Sequence, residues 1–233
     1  MNEKRIVVAI DGPAGAGKST LARRVAQKLG FVYINSGAMY RAIALWALRL
    51  GVSLNDMHRL EQLAKAANIE LAPGDDRVFL NGEDVSEAIR DQSVSNAASK
   101  VSAVPAVRRA LLATQRRMAE QSSVVMEGRD IGSVVFPGAQ VKIFLDAHPN
   151  ERARRRTLEL QEEGQPADSE SVAGELKERD ERDRTRSDAP LVQAPDAELI
   201  DTTNLSIDAA EDVVLRLIRA RTSNGKEVAS GSF

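Results

Sequence analysis

Apolar residues in this chain come in short runs, and each run ends in glycine or a polar turn. Ile6 to Ile10 is an apolar run that reads as a buried strand, and it empties into a glycine-rich turn from Asp11 to Gly17. From Leu21 to Leu29 the apolar positions recur at helical spacing. Phe31-Val32-Tyr33-Ile34 reads as a second strand, and its polar end at Asn35 opens a long helix reaching about Leu50. Asn55 is placed to cap a further helix through roughly Ala67. The texture then changes. Ile69-Glu70-Leu71 and Val78-Phe79-Leu80 alternate around the turn Pro73-Gly74-Asp75-Asp76, with Asn81-Gly82 as a second turn, which predicts a small inserted antiparallel sheet. Helices are expected at about Glu87 to Arg90, Val94 to Val101 and Ala106 to Gln121, the last behind Pro105. Ser123 to Met126 and Val141 to Leu145 read as buried strands ending at Glu127-Gly128-Arg129-Asp130 and at Asp146. Two charged helices, Glu151 to Glu163 and Val172 to Arg186, precede a final strand at Leu199-Ile200 and a closing helix from Asp208 to Arg221. Residues 222–233 are small and polar and are expected to be a disordered tail.

Strands alternating with helices predict a three-layer α/β fold with about five parallel strands and helices on both faces. The strand ends near residues 11, 35, 127, 146 and 201 then share one rim, and ligands of such sheets sit beyond it.

Composition narrows the picture slightly. The 233 residues carry a net charge of −2 and no cysteine, which removes disulfides, thiolate chemistry and cysteine-ligated zinc. No overall field invites nucleic acid or an anionic membrane, and neither is expected as a partner. No apolar run approaches membrane-spanning length and the first residues lack a signal-peptide core, so a cytoplasmic protein is expected. His58 and His148 lack metal-ligand spacing and are expected at the surface, and Trp46 sits among core positions.

The first turn carries the strongest chemistry. Gly12-Pro13-Ala14-Gly15-Ala16-Gly17-Lys18-Ser19-Thr20 spells a complete Walker A phosphate loop between a strand and a helix. Glycines let amide N–H groups turn inward around an anion, and the helix start adds its dipole. Lys18 can reach β- and γ-phosphates, and the Ser19 hydroxyl can hold Mg²⁺. A nucleoside triphosphate is the expected ligand. A glycine-rich connector that binds nothing is the bland alternative.

Further along, Arg179, Arg182 and Arg186 are spaced to share one helical face. A solvated helix laced with pairs such as Asp180–Arg184 is one reading; like charges gathered around a transferring phosphoryl group is the other, and the phosphate loop favours it. For the basic stretch Glu151 to Arg156, an exposed helix and one arm of a mobile lid stand even. At Glu127 to Asp130 a ligand site competes with a plain Arg129–Asp130 ion pair.

Taken together, the Gly-Pro-x-Gly-Ala-Gly-Lys-Ser loop, Ser-Gly-Ala-Met-Tyr-Arg at 36–41, Asn-Ala-Ala-Ser at 96–99, Glu-Gly-Arg-Asp-Ile-Gly-Ser-Val-Val-Phe-Pro at 127–137 and Lys-Glu-Arg-Asp-x-Arg-Asp at 177–183 resemble bacterial cytidylate kinases from Ile6 to about Arg219. The resemblance implies one phosphate-loop kinase domain over 1–233. It would carry a nucleoside monophosphate-binding insertion at about 62–103 and a helical lid at about 151–187. It implies ATP-dependent phosphorylation of CMP and dCMP with Mg²⁺, by a monomer. By the same resemblance Ser36, Arg41 and Arg129 hold CMP and its phosphate, and Ser99, Arg108 and Asp130 read cytosine. Arg179 and Asp183 lie on the ribose side, Arg186 neighbours the substrate, and Arg182 is the lid arginine that acts with Lys18 in catalysis. Where the family often has Asp, this chain has Asn35, which keeps the acceptor and loses the charge. A UMP or AMP kinase of the same fold is the nearest alternative. A GTPase lacks its guanine motifs here, and a non-catalytic nucleotide-binding module sits poorly with an intact Lys18, Ser19 and arginine face.

Overall fold

The first apolar run forms the central strand of the computed structural model, which describes residues 5–72, 77–164 and 166–222. That strand is β1 (Val7–Asp11); β2 (Val32–Asn35), β6 (Val124–Gly128), β7 (Val141–Asp146) and β8 (Glu198–Asp201) join it in the order β2-β6-β1-β7-β8, all parallel. Register places Asn35 beside Glu127, Asp11 beside Gly128 and Asp146 beside Asp201, so the five expected strand ends do form one rim.

Side chains alternate across the sheet with period two. Val8, Ile10, Val125, Ile143 and Leu145 pack under α1 (Lys18–Leu29) and α8 (Ile207–Thr222). Ala9, Ile34, Val124 and Met126 face the other way, toward Ile131, Val135 and the flank of α5 (Pro105–Met118). Burial of both faces is why these strands are nearly uninterrupted apolar runs.

Beyond the sheet lies a second core. There α2 (Ser36–Arg49), α3 (Met57–Ala66) and α4 (Gln92–Val101) bury Met39, Ile43, Leu60, Val94 and Val101 against α5. Ile69 and Leu80 join that core from the antiparallel sheet β3 (Ile69–Leu71), β4 (Val78–Leu80) and β5 (Glu83–Asp84). Finally α6 (Pro149–Glu162) and α7 (Ser169–Thr185) pair through Ala153, Leu160, Val172 and Leu176, and Ala14 of the phosphate loop packs into that seam.

Several local expectations change. Asp56, not Asn55, caps α3, its carboxylate accepting the Arg59 N–H at 3.0 Å, where a charge also meets the positive end of the helix. Ile131–Val135 forms one π-helical turn that sequence spacing does not announce, because its first two amides are held by a carboxylate 120 residues away. Arg186 lies just past α7 as its C-cap instead of on the helical face. Trp46 is only partly buried against the second core, and both histidines are exposed. The turn at 73–76 and the tail beyond Thr222, which closes α8, lie outside the described residues.

Candidate active site

The phosphate loop is pressed against the neighbouring strand. Gly12 has φ +147°, and a β-carbon there would stand 1.9 Å from the Leu145 carbonyl oxygen, so only glycine lets the chain turn here. Lys18 opens α1 and is buried, its Nζ donating to the Pro13 carbonyl at 2.6 Å. Burial, reinforced by the nearby Arg129 charge, pulls the Lys18 ammonium down to about 7.

One strand over, the same close approach recurs. Ser36 Oγ donates to the Glu127 carbonyl at 2.7 Å, and a β-carbon on Gly128 would fall 2.6 Å from that hydroxyl. Asn35 caps α2 by accepting the Ala38 N–H at 3.1 Å. A neutral amide oxygen meets that need, so the missing carboxylate costs the cap nothing.

The Arg129–Asp130 neighbour pair does not form. Arg129 Nε donates to Asp183 Oδ2 at 2.9 Å, reaching α7, while Asp130 Oδ2 accepts from Arg108 Nη2 of α5. Arg186 stands 3.8 Å from Asp130 Oδ1 and 3.7 Å from Asp183 Oδ1. Burial alone would push Asp183 up; Arg129, Arg179 and Arg186 together hold it below the usual carboxylate range.

These groups share one cavity of about 200 Å³ with Lys18, Ser19, Ser36, Tyr40, Arg41 and Arg179. Burial, then the Arg129 charge, lowers Arg179 to about 10, and burial lowers Arg41 as well. The Nε atoms of Arg41 and Arg179 are buried and have no hydrogen-bond partner among the described residues. Crowded, desolvated cations with unused donors are what a phosphate-bearing ligand satisfies.

Ser99 and Arg182 stand apart. Arg182 Nη1 donates to Ser99 Oγ at 2.5 Å, and the two line an adjoining cavity of about 260 Å³ that shares Arg156 and Arg179 with the first. Nearby, Gln92 of α4 donates to Glu175 at 2.7 Å and accepts from Arg156 at 2.9 Å. Three contacts thus tie α4 to α6 and α7.

A third cavity, about 560 Å³, lies beyond Gly17 and Thr20. Leu145, Leu205, Ile207 and Ala210 give it an apolar side, and Arg154, Arg155 and Thr202 a polar one. Thr202 escapes a motif search, yet its hydroxyl lies 3.2 Å from the Ala16 carbonyl and its own carbonyl accepts from Arg155 at 2.6 Å. Its only sequence signal is a position directly behind the last strand end.

Comparison with known proteins decides the family. The cytidylate kinase family model matches residues 8–220. A cytidylate kinase of Solibacter usitatus (strain Ellin6076) is 60% identical over 97% of each chain. Another, of Pelotomaculum thermopropionicum, is 52% identical over 94% of this chain and 96% of its own. The chain belongs to the cytidylate kinase family. It is a nucleoside monophosphate kinase that phosphorylates CMP to CDP with ATP. An uncharacterized protein from Eubacterium ventriosum ATCC 27560 superposes with a TM-score of 0.52 at 13% identity over 93% of this chain and 99% of its own, a likeness of fold alone.

In this kinase the stretch Glu151 to Arg156 divides its labour. Exposed Arg154 and half-buried Arg155 both grip Glu151. Arg152 is buried, donating to the Ala14 carbonyl at 3.2 Å, the Ala147 carbonyl at 3.0 Å and Asp180 Oδ2 at 2.5 Å. Asp180 therefore pairs across to α6, not with Arg184. Arg152→Ala leaves the Asp180 carboxylate buried without its cation, and breaking such a pair costs roughly 3–5 kcal/mol. Thermal unfolding should show that loss, with a midpoint several degrees lower; an unchanged midpoint would mean that Asp180 finds water or another cation.

Proposed function

We propose that the phosphate loop holds the ATP phosphates while the turn after β6 holds CMP, with both phosphates meeting among Lys18, Arg41, Arg129 and Arg179. The observation that carries this reading is the buried, unpartnered Nε of Arg41 and Arg179 beside a lysine lowered to about 7. Such charges repel one another until an anion sits among them. Catalysis is then alignment and neutralisation. No general base is needed, since the acceptor oxygen of a monophosphate is already anionic.

The donor nucleoside fits the cavity beyond Gly17 and Thr20, with the base against Leu205, Ile207 and Ala210. Mg²⁺ suits the donor set present. No cluster of three or more His, Cys, Asp or Glu residues lies close enough to hold a metal among the described residues, while the exposed Ser19 hydroxyl stands at the loop. An ion held mostly by phosphate oxygens, water and one hydroxyl is the habit of Mg²⁺. Bound there, it would neutralise charge on the β- and γ-oxygens.

At the other end, Asp130 Oδ2 is taken by Arg108 and Oδ1 remains to accept the 4-amino group of cytosine. Tyr40, whose ring lies 5.5 Å from the Arg108 guanidinium, forms the wall beside it. Ser99 can accept from Arg182 and still donate, so base contact and lid contact do not exclude each other. dCMP fits the same reading, as do a cytoplasmic location and the segments 62–103 and 151–187 as monophosphate-binding insertion and lid. Among the described residues no helix is long and apolar enough to cross a membrane.

Lys18→Ala should keep the fold, judged by its melting curve, and lose nearly all turnover. Near wild-type kcat would sink the phosphate-loop assignment. Arg182→Ala should lower kcat far more than CMP affinity, since arginines in this role contribute about 10³-fold or more. A collapse of CMP affinity with kcat preserved at saturation would make it a ground-state binder. Asp130→Ala should lower kcat/KM for CMP about 5- to 150-fold more than for UMP, the range of roughly 1–3 kcal/mol per good base contact. A ratio is immune to any loss of folded protein, so an unchanged CMP-to-UMP ratio places base recognition elsewhere.

A further inference from the structure

One buried carboxylate joins the two halves of the cleft, and none of the roles above uses it. Asp11 is the last residue of β1, directly before the phosphate loop, and is 5% exposed. Its Oδ1 accepts the Ile131 N–H and its Oδ2 the Gly132 N–H, both at 2.7 Å. Ile131 and Gly132 directly follow Arg129 and Asp130 and begin the π-helical turn. Both oxygens of a single side chain therefore connect the loop placed under the donor phosphates to the turn placed under the acceptor. We propose that Asp11 is a positioning residue that sets the distance between donor and acceptor phosphates, a role that rests on reading the turn at 129–130 as the acceptor site.

The argument is geometric. β1 and β6 are paired neighbours, and ordinary strand pairing already fixes Asp11 beside Gly128. Past Gly128 the ladder stops; the side chains of Arg129 and Asp130 tie the turn to α7 and α5, but neither tie reaches the phosphate loop. Two short hydrogen bonds from the backbone of the turn to the Asp11 carboxylate fix it against the strand that feeds that loop. In-line transfer is sensitive to such placement, since a misplacement of about 1 Å can lower the rate on the order of 10²-fold. An ionised carboxylate is the suited acceptor, because it takes both amides with no donor of its own. The charged groups facing it are Asp130 on the turn, Lys18 on α1 and Lys142 on β7, whose stem lies against Gly132. Burial raises Asp11 to about 6 in spite of the two amides that lower it; Asp130 raises it further and Lys18 opposes. Above pH 6 both oxygens accept. Below it, a proton on one oxygen faces an N–H and that bond is lost.

The test compares Asp11→Asn and Asp11→Glu with the wild-type enzyme. Asn turns one acceptor into a donor pointed at an amide. Glu keeps charge and both acceptors but is one methylene longer. Both variants should bind ATP alone and CMP alone within about threefold of wild type by calorimetry, yet lose roughly 10²-fold in kcat. In the nucleotide-free wild type, the Ile131 and Gly132 amide resonances should shift together with a midpoint near pH 6, and the Asn variant should abolish that titration. Wild-type kcat in either folded variant, a loss of nucleotide affinity matching the loss of kcat, or amide resonances that do not titrate would overturn the proposal. If the Asn variant does not fold, the Glu variant and the wild-type titration decide. A failure of the acceptor-site reading shows separately, as an Arg129→Ala enzyme with unchanged CMP affinity.

Discussion

Crowding of buried positive charge at one rim of a parallel sheet is the constraint on which this structure turns. Lys18, Arg41, Arg129 and Arg179 gather around one small cavity, and burial lowers the first two and the last. Desolvating cations beside one another is unfavourable, and nothing local compensates for it fully. The stability that tolerates it comes from elsewhere, from a sheet whose residues are apolar on both faces and from the second core around α2 and α5. Strain stored at a site and met by the surrounding fold is a familiar division of labour in enzymes. Here the stored quantity is charge repulsion, and on the proposed reading a pair of phosphates would relieve it.

The scaffold meets that constraint by close backbone approach rather than by long side chains. Gly12 against Leu145 and Gly128 against Ser36 bring strand ends so near that no β-carbon fits. Carboxylates then act as ties between elements: Asp183 to Arg129, Asp130 to Arg108, Asp180 to Arg152, Asp11 to the turn after β6. Each joins residues at least 22 positions apart in sequence, and each is largely withdrawn from water.

That spacing explains what could and could not be read in the sequence. The sheet, its five rim positions and the inserted antiparallel sheet were legible, because apolar runs and turn residues act locally. So was the phosphate loop, whose glycines and Lys18-Ser19 are contiguous. Partner choice was not. The chain offers Arg129 next to Asp130 and Asp180 four positions from Arg184, yet Arg129, Asp130 and Asp180 each pair with a residue brought by another element. Neighbours in a turn diverge in direction, whereas partners across a cleft converge. The π-helical turn at 131–135 and the capping by Asp56 were missed for related reasons: one depends on a distant carboxylate, the other on a one-residue shift that two adjacent polar residues leave open. Ser99 is a further case: the family resemblance names it as a base-reading residue, and its bond to Arg182 in the adjoining cavity, which leaves its hydroxyl able to donate, is a partner choice that no local signal announces.

Generic and specific parts of the site are therefore built differently. As proposed, the phosphate loop would work through backbone amides and one lysine, and any nucleoside triphosphate would present the same phosphates to it. Under the proposed reading, discrimination among acceptors would come from side chains at the far end, where Asp130 and Arg108 meet beside Tyr40. Arg108 is itself anchored, donating to the Ser102 carbonyl at 3.1 Å as well as to Asp130, which helps hold those side chains in a fixed orientation. A carboxylate with one oxygen committed to an arginine cannot swing to suit a different base. On the proposed reading, selectivity in this cleft would rest on the rigidity of a buried ion pair, and the low dielectric that makes the cations costly at one end would make a mismatched carbonyl costly at the other.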